Sequence, residues 1–234
     1  MSGTKALSFG KNIWVIDGRR VRWLGLPFER RMTMVKLTDG SLWLHSPVDP
    51  LPELFQAAEE LGPVRYIVAP NKLHDLFVDE WLDHFPEAQF LSCPGFAHAN
   101  PKVRHKAQEL NDDTPVAWGG EIEHRLFAGN PILNEVLFFH HESRSLIVTD
   151  IIQNHDPHRV GFFFRIVARL GGVLAPRGGN PRDWRLTVRD RAAAQDVVQH
   201  ILAWEFDRLI LCHGLCVTTH ARAFVERAFE WLHS

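Results

Sequence analysis

Three apolar, strand-like runs in this chain each lead into a residue that can bind a metal ion or move a proton. Tyr66-Ile-Val-Ala69, bounded by Pro63 and Pro70, is followed by His74-Asp75. Ser145-Leu-Ile-Val-Thr149 is followed at once by Asp150, and Phe206-Asp-Arg-Leu-Ile-Leu-Cys212 by His213-Gly214. Short apolar runs rich in β-branched residues read as buried strands. In α/β folds the carboxyl ends of strands are where ligand and catalytic groups are mounted. Strand ends far apart in sequence can converge on one edge of a fold. Two histidines and one or two carboxylates would then form a shell suited to zinc, iron or manganese. Each residue also has a plain structural reading. His74-Asp75 can open a helix, with Asp75 at the positive end of its dipole. Asp150 can cap the segment after it, and His213 can make a buried hydrogen bond.

The rest of the chain supplies strands and helices around these runs. Ile13 to Asp17 is a short strand, and Met32 to Leu37 and Ser41 to His45 flank Asp39-Gly40 as a β-hairpin. Leu51, Leu54, Phe55, Ala58 and Leu61 share one helical face, and Gly62 ends that helix. A second helix carries Val78, Trp81, Leu82 and Phe85, and Ala88 to Ser92 is a strand. Pro94 to Gly120 is weakly patterned. Ile122 to Phe127 and Glu135 to His140 are strands, and helices are expected over Val188 to Trp204 and Thr218 to Leu232. Strand runs from both halves, with helices at both ends, imply two packed sheets with helices outside.

Composition excludes some classes. A formal net charge of −2 gives no field favouring nucleic acid or an anionic membrane. No apolar run approaches the roughly 20 residues a membrane span needs, and Met1 to Gly10 has no signal-peptide core. Three cysteines, Cys93, Cys212 and Cys216, do not form a disulfide framework, so reduced thiols and a cytoplasmic location are expected. Eight Trp and 16 Phe against one Tyr predict a dense aromatic core.

The order of elements, from about Ile13 onward, resembles the metallo-β-lactamase superfamily, an uncharacterised branch of it. That resemblance implies an α/β four-layer αββα sandwich with a metal site at one sheet edge. The family signature H-x-H-x-D-H corresponds to Pro70-Asn-Lys-Leu-His-Asp75. Pro70 and Lys72 stand where two histidines would be, and His74 and Asp75 take the Asp-His pair in reversed order. A further family histidine has no counterpart near Pro131. Val148-Thr-Asp150 matches the bridging aspartate, and Leu211-Cys-His-Gly214 matches the last histidine. The resemblance therefore implies loss of the first metal site and one divalent ion, zinc or iron, at the second. The implied ligands are His74, Asp75, Asp150 and His213, with Asp75 and Asp150 as catalytic candidates.

Other residues can serve such a site. Glu135 can replace a lost ligand, or be an exposed charge at a strand end. His155 and His158 can reach the site as supporting donors, and Lys72 can meet a substrate anion where a ligand was lost. His140-His141 reads as a solvated turn, and His98 and His105 as surface residues. Residues 1–234 are expected to be one domain with an Arg/Phe-rich insertion at about 154–185, read as a helix and a long loop. The insertion can be a lid over an anionic substrate through Arg165, Arg169, Arg177 and Arg182. It can instead be a homodimer contact or a peripheral membrane patch through Phe162, Phe163 and Phe164. Three functions remain open. The first is a metal-dependent hydrolase-like enzyme for a small-molecule ester, thioester, lactone or phosphodiester. The others are a catalytically inactive binding scaffold and a mono-iron redox protein.

Overall fold

The computed structural model describes residues 5–23 and 26–233. The outermost ends of the expected domain, 1–4 and 234, lie outside them. One sheet holds seven strands in sequence order: β1 (Leu7–Gly10), β2 (Ile13–Trp23), β3 (Leu26–Lys36), β4 (Leu42–His45), β5 (Val64–Ala69), β6 (Gln89–Ser92) and β7 (Gln108–Glu109). Strands β1 to β4 are antiparallel and β4 to β7 parallel. The Asp39-Gly40 hairpin forms as expected, with Lys36 opposite Leu42. Helices α1 (Pro52–Leu61) and α2 (Val78–His84) supply the crossovers that parallel neighbours require, and α3 (Phe96–Ala99) is a short turn of helix. Strands β2 and β3 are longer than their apolar runs. They continue through charged residues as a ribbon with a register shift between Gly18 and Val21.

The second sheet has the order β11 (Arg208–Leu211), β10 (Ser145–Val148), β9 (Glu135–His140), β8 (Ile122–Phe127). The two-residue period of its strands sorts side chains between two cores. Val136, Phe138, Ile147 and Ile210 pack with the first sheet. Leu137, Phe139, Leu146, Val148, Leu209 and Leu211 pack against α6 (Arg191–Ala203) and α7 (Ala221–Phe229). Two sheets flanked by helices result, as the pattern predicts. The aromatic core lies between the sheets, where Trp43 of β4 meets Phe138 of β9 with ring centroids 5.0 Å apart and Trp118 at 6.1 Å.

The 154–185 segment carries two helices, α4 (Phe162–Gly171) and α5 (Arg182–Thr187), where one helix and a long loop are expected. The α4 helix buries Phe164 and Ala168 in a small core with Val160, Val173 and the partly buried Phe28. Helix α6 starts at Arg191 rather than Val188 because Asp190 caps it, accepting a hydrogen bond from the Ala193 N–H at 2.9 Å. Among the described residues no helix is long and apolar enough to cross a membrane. The three cysteines are free.

Candidate metal centre

Strand register brings two of the three strand-end residues together. Strands β10 and β11 pair in parallel, with Val148 opposite Leu211. Asp150 and His213 each lie two residues beyond that pair, so they leave the sheet side by side. The third residue comes from the other sheet. Past β5, the Pro70 carbonyl accepts the Val136 N–H at 2.8 Å, and Asn71 forms a bridge with Glu135. This stitch between the sheets carries the loop with His74 to Asp150.

The resulting cluster is centred on one carboxylate. His74 Nε2 lies 3.2 Å from Asp150 Oδ2, and His213 Nε2 lies 3.1 Å from Asp150 Oδ1. One ligand-type atom from each of the three residues lies within 4.8 Å of the others. The far nitrogen of each ring is also engaged. His213 Nδ1 donates to the Glu29 carbonyl at 2.6 Å, and His74 Nδ1 shares a 2.5 Å hydrogen bond with the Ser46 hydroxyl. Both rings are therefore aimed by partners outside the cluster, the usual arrangement behind a ligating histidine. A carbonyl only accepts, so His213 Nδ1 carries a proton. A neutral His213 then turns a bare Nε2 lone pair toward the Asp150 oxygen, and a proton or a metal cation between them removes the repulsion.

Burial and charge set the titration of the three groups. Burial works against an imidazolium at His213, but the hydrogen bond and charge of Asp150 prevail and raise its pKa. At His74 burial prevails and the pKa falls despite Asp150. Burial would raise Asp150, yet the two histidines hold it well below the usual carboxylate range.

The supporting residues are buried and polar. Glu135 is fully buried, which corrects the reading of an exposed strand-end charge. Its carboxylate accepts N–H bonds from Thr149 and Asp150 at 2.7 Å and from Asn71 Nδ2 at 3.1 Å. It therefore braces the turn under Asp150 and is outside the ligand cluster. Burial, with the nearby Asp150 charge, raises its pKa to about 7. Asn71 also donates to Asp150 Oδ2 at 2.7 Å.

His213 is held by a second brace. The Arg31 guanidinium donates from Nη1 to the carbonyls of Leu211 at 2.5 Å and Gly214 at 2.7 Å, and from Nε to Asp17 at 2.7 Å. Gly214 has φ +89°, and a Cβ there would overlap the Asn154 carbonyl. That close approach lets Asn154 and His213 pair, with the Asn154 N–H donating to the His213 carbonyl at 3.1 Å.

The remaining expected residues fall elsewhere. Asp75 does not join the cluster. It is half-buried, and burial raises its pKa against the pull of Arg30. Lys72 turns its amine toward Gly95, close to where a Cβ on that glycine would lie. His155 is buried beside the site, its ring 6.5 Å from that of His213, and its Nε2 pairs with Gln153. His158 is exposed, and its place in this region is on the surface. His140, expected in a solvated turn, is instead buried at the end of β9 and bonded to Ser143, while His141 is exposed and pairs with Glu123. His98 is exposed, and His105 is partly buried against Asp79.

Sequence reasoning missed Arg30. It is buried, its Nη1 has no hydrogen-bond partner, and its charge reaches both Asp75 and Asp150. A charged pair beside an apolar strand, Arg30-Arg31, was the available signal.

The sheets and flanking helices define the class: this is the metallo-β-lactamase fold. A metallo-β-lactamase from Pontibacter korlensis superposes with a TM-score of 0.65 at 10% identity, over 99% of this chain and 100% of that one. The FIM-1 metallo-β-lactamase from Pseudomonas aeruginosa, in a mono-zinc form, gives 0.64 at 10% over 99% and 97%. A metal-soaked Flv1 flavodiiron core from Synechocystis sp. PCC6803 gives 0.64 at 11% over 98% of this chain and 61% of that one. Identities this low show the fold alone. Residues 11–160 match a domain of unknown function, DUF4336, and the chain belongs to that family. A comparison with curated proteins returned no match.

Proposed function

We propose that His74, Asp150 and His213 hold one divalent metal ion, zinc or iron, and that the chain is a metal-dependent hydrolase-like protein acting on a small molecule. One observation carries this reading. The Glu29 carbonyl holds the proton of neutral His213 on Nδ1, so that a cation replacing the Nε2 proton would meet the Nε2 lone pair and the Asp150 carboxylate together. Two imidazole nitrogens and a carboxylate suit a borderline divalent cation. A bound ion there would polarise a substrate oxygen or activate a water. The chain's own residues supply the remainder. Ser46, Glu29 and Asn71 orient the ligands, and Arg30 offers a fixed, buried positive charge to a substrate oxygen that gains negative charge. Asp75, half-buried and with a raised pKa, is a candidate to accept a proton. Esters, thioesters, lactones and phosphodiesters all fit this chemistry.

A second reading has its own support. The three residues already form a closed ion-pair network, with His213 favouring its charged form. A proton can thus do what a metal would do, and the fold would serve as a binding scaffold. Elemental analysis of tag-free protein purified without chelator separates the two. One ion per chain, with a wild-type melt lowered by chelator and a His213→Ala melt insensitive to it, supports the metal reading. No bound ion, an unchanged wild-type melt in chelator and a His213→Ala variant that melts lower in both conditions favour the scaffold.

A further inference from the structure

A cavity of about 820 Å³ opens between the 172–178 loop, α5 and the C-terminal end of the chain. This is within the size range of small-molecule sites. It contains none of the three residues of the candidate metal centre. Arg169, Arg177, Arg182, Arg185 and Arg227 line it, against a single carboxylate, Glu230. The chain as a whole has a net charge of −2, so this is a local reversal of sign. Among the described residues, no carboxylate forms an ion pair with any of the five, whereas Arg104, Arg125, Arg144 and Arg222 elsewhere all have acidic partners.

Two of the five are held in place by carbonyl oxygens. Arg185 Nε donates to Asn180 at 3.1 Å, and Arg227 Nη2 donates to Arg177 at 2.5 Å. Each uses one N–H this way and keeps others for a ligand. The Arg185 guanidinium also lies 5.6 Å from the Trp231 ring centroid. Its pKa is lowered by burial and by the neighbouring Arg182 and Arg177 charges, so the cluster is self-repelling. Like charges gathered around a concave space without acidic partners are relieved by an anionic guest. Guanidinium forks match paired phosphate oxygens. Leu174, Ala175 and Pro176 give the same cavity an apolar wall for an organic moiety.

We propose that this cavity binds a ligand carrying a diphosphate or similar phosphate polyanion on an organic group. Such a group can come from a free metabolite or from the headgroup of an anionic lipid. The second source is open because α4, which contributes Arg169, exposes Phe162, Phe163 and Leu170 at 76%, 68% and 66%.

Calorimetric titration of the full chain with pyrophosphate and with ADP, in chelator so that the metal centre takes no part, tests the free source. Sedimentation with phosphatidylcholine vesicles, with and without cardiolipin, whose headgroup carries two phosphates, tests the lipid source. Saturable binding of one soluble probe per chain, weakened at least tenfold in Arg177→Ala/Arg182→Ala and unchanged in Arg165→Ala, establishes the site with a free ligand. Arg177 and Arg182 are exposed, and an unaltered circular-dichroism melt would verify that the double variant folds. Vesicle binding that requires cardiolipin and is lost in the same double variant establishes the site with a lipid ligand. Absence of both forms of binding, or binding equal in wild type and double variant, overturns the proposal.

Discussion

Replacing Arg31 with Met isolates the brace that holds His213. Arg31 is 7% exposed, and its Nη1 is the hydrogen-bond donor to the Leu211 and Gly214 carbonyls on either side of His213. A hydrogen bond from a charged donor contributes about 1.5–3 kcal/mol, and a buried acceptor left without one costs a similar amount. Two such carbonyls set a range of about 3–6 kcal/mol. The pair with Asp17 adds little, because the Asp17 side chain is 47% exposed and pairs of that kind contribute about 0–1 kcal/mol. Met keeps the apolar stem packed, so the loss should fall near 4 kcal/mol, in the lower half of that range. For a chain of this size that lowers Tm by about 8–16 °C. The measurement is urea and thermal unfolding of both proteins in chelator, which removes any contribution from a bound ion. The loss should persist at high salt, because the acceptors are buried carbonyls rather than surface carboxylates. Arg31→Lys should recover only part of it, having no planar fork to span two acceptors. An Arg31→Met protein melting within about 2 °C of wild type would mean that the turn is held by its pairing with Asn154 alone, and the brace argument fails.

Two further outcomes follow from single residues. Burial lowers the His140 pKa from 6.5 to about 4, so below pH 6.5 the unfolded chain takes up a proton that the folded chain refuses. Stability contributed by neutral His140 is therefore present above pH 6.5 and lost as pH falls toward 4, by up to about 1.4 kcal/mol per pH unit. Urea unfolding between pH 7 and pH 4.5 should give a shallower decline for His140→Asn than for wild type, and equal slopes would refute the assignment. Gly214→Ala should destabilise by at least about 1–2 kcal/mol from the left-handed backbone alone, more because the new Cβ meets the Asn154 carbonyl. A wild-type melt for that variant would show that the 213–215 turn yields easily.

The candidate site was legible where local pattern and chemistry coincide. His74, Asp150 and His213 each follow an apolar run, and parallel register then carries Asp150 and His213 to the same edge. The hairpin at Asp39-Gly40 and the capping of α1 by Gly62 were legible for similar local reasons. Glu135 and His140 were not. A charged or polar residue at either end of a strand looks solvent-facing until the partner sheet and the loops around it are known. Both ends of β9 are covered, and each polar end group is satisfied by partners that sequence does not place beside it. The charged residues of β2 and β3 hid strand continuation in the same way. Arg31 in β3 reaches carbonyls some 180 residues away, a contact that no periodicity encodes.

The residues from Pro70 to Asp75 support the proposal of one ion rather than two at this edge. At the positions where the resemblance would place two histidines, the Pro70 carbonyl is used by Val136 and the Lys72 amine lies toward Gly95. Between them Asn71 turns inward and donates to both Glu135 and Asp150. Its amide occupies one side of Asp150 Oδ2 with a fixed donor, and an amide N–H repels a cation. A second ion bridged by that oxygen would have to displace Asn71, which in turn leaves a fully buried Glu135 oxygen with one donor fewer. Among the described residues no amide holds Oδ1, which faces His213 Nε2, while His74 Nε2 meets Oδ2 beside Asn71. On the proposed single-ion reading, the absence of imidazoles at positions 70 and 72 and the presence of Asn71 act in the same direction: one side of the cluster is a hydrogen-bonded brace, and His213 and Asp150 Oδ1 remain on the side open to an ion.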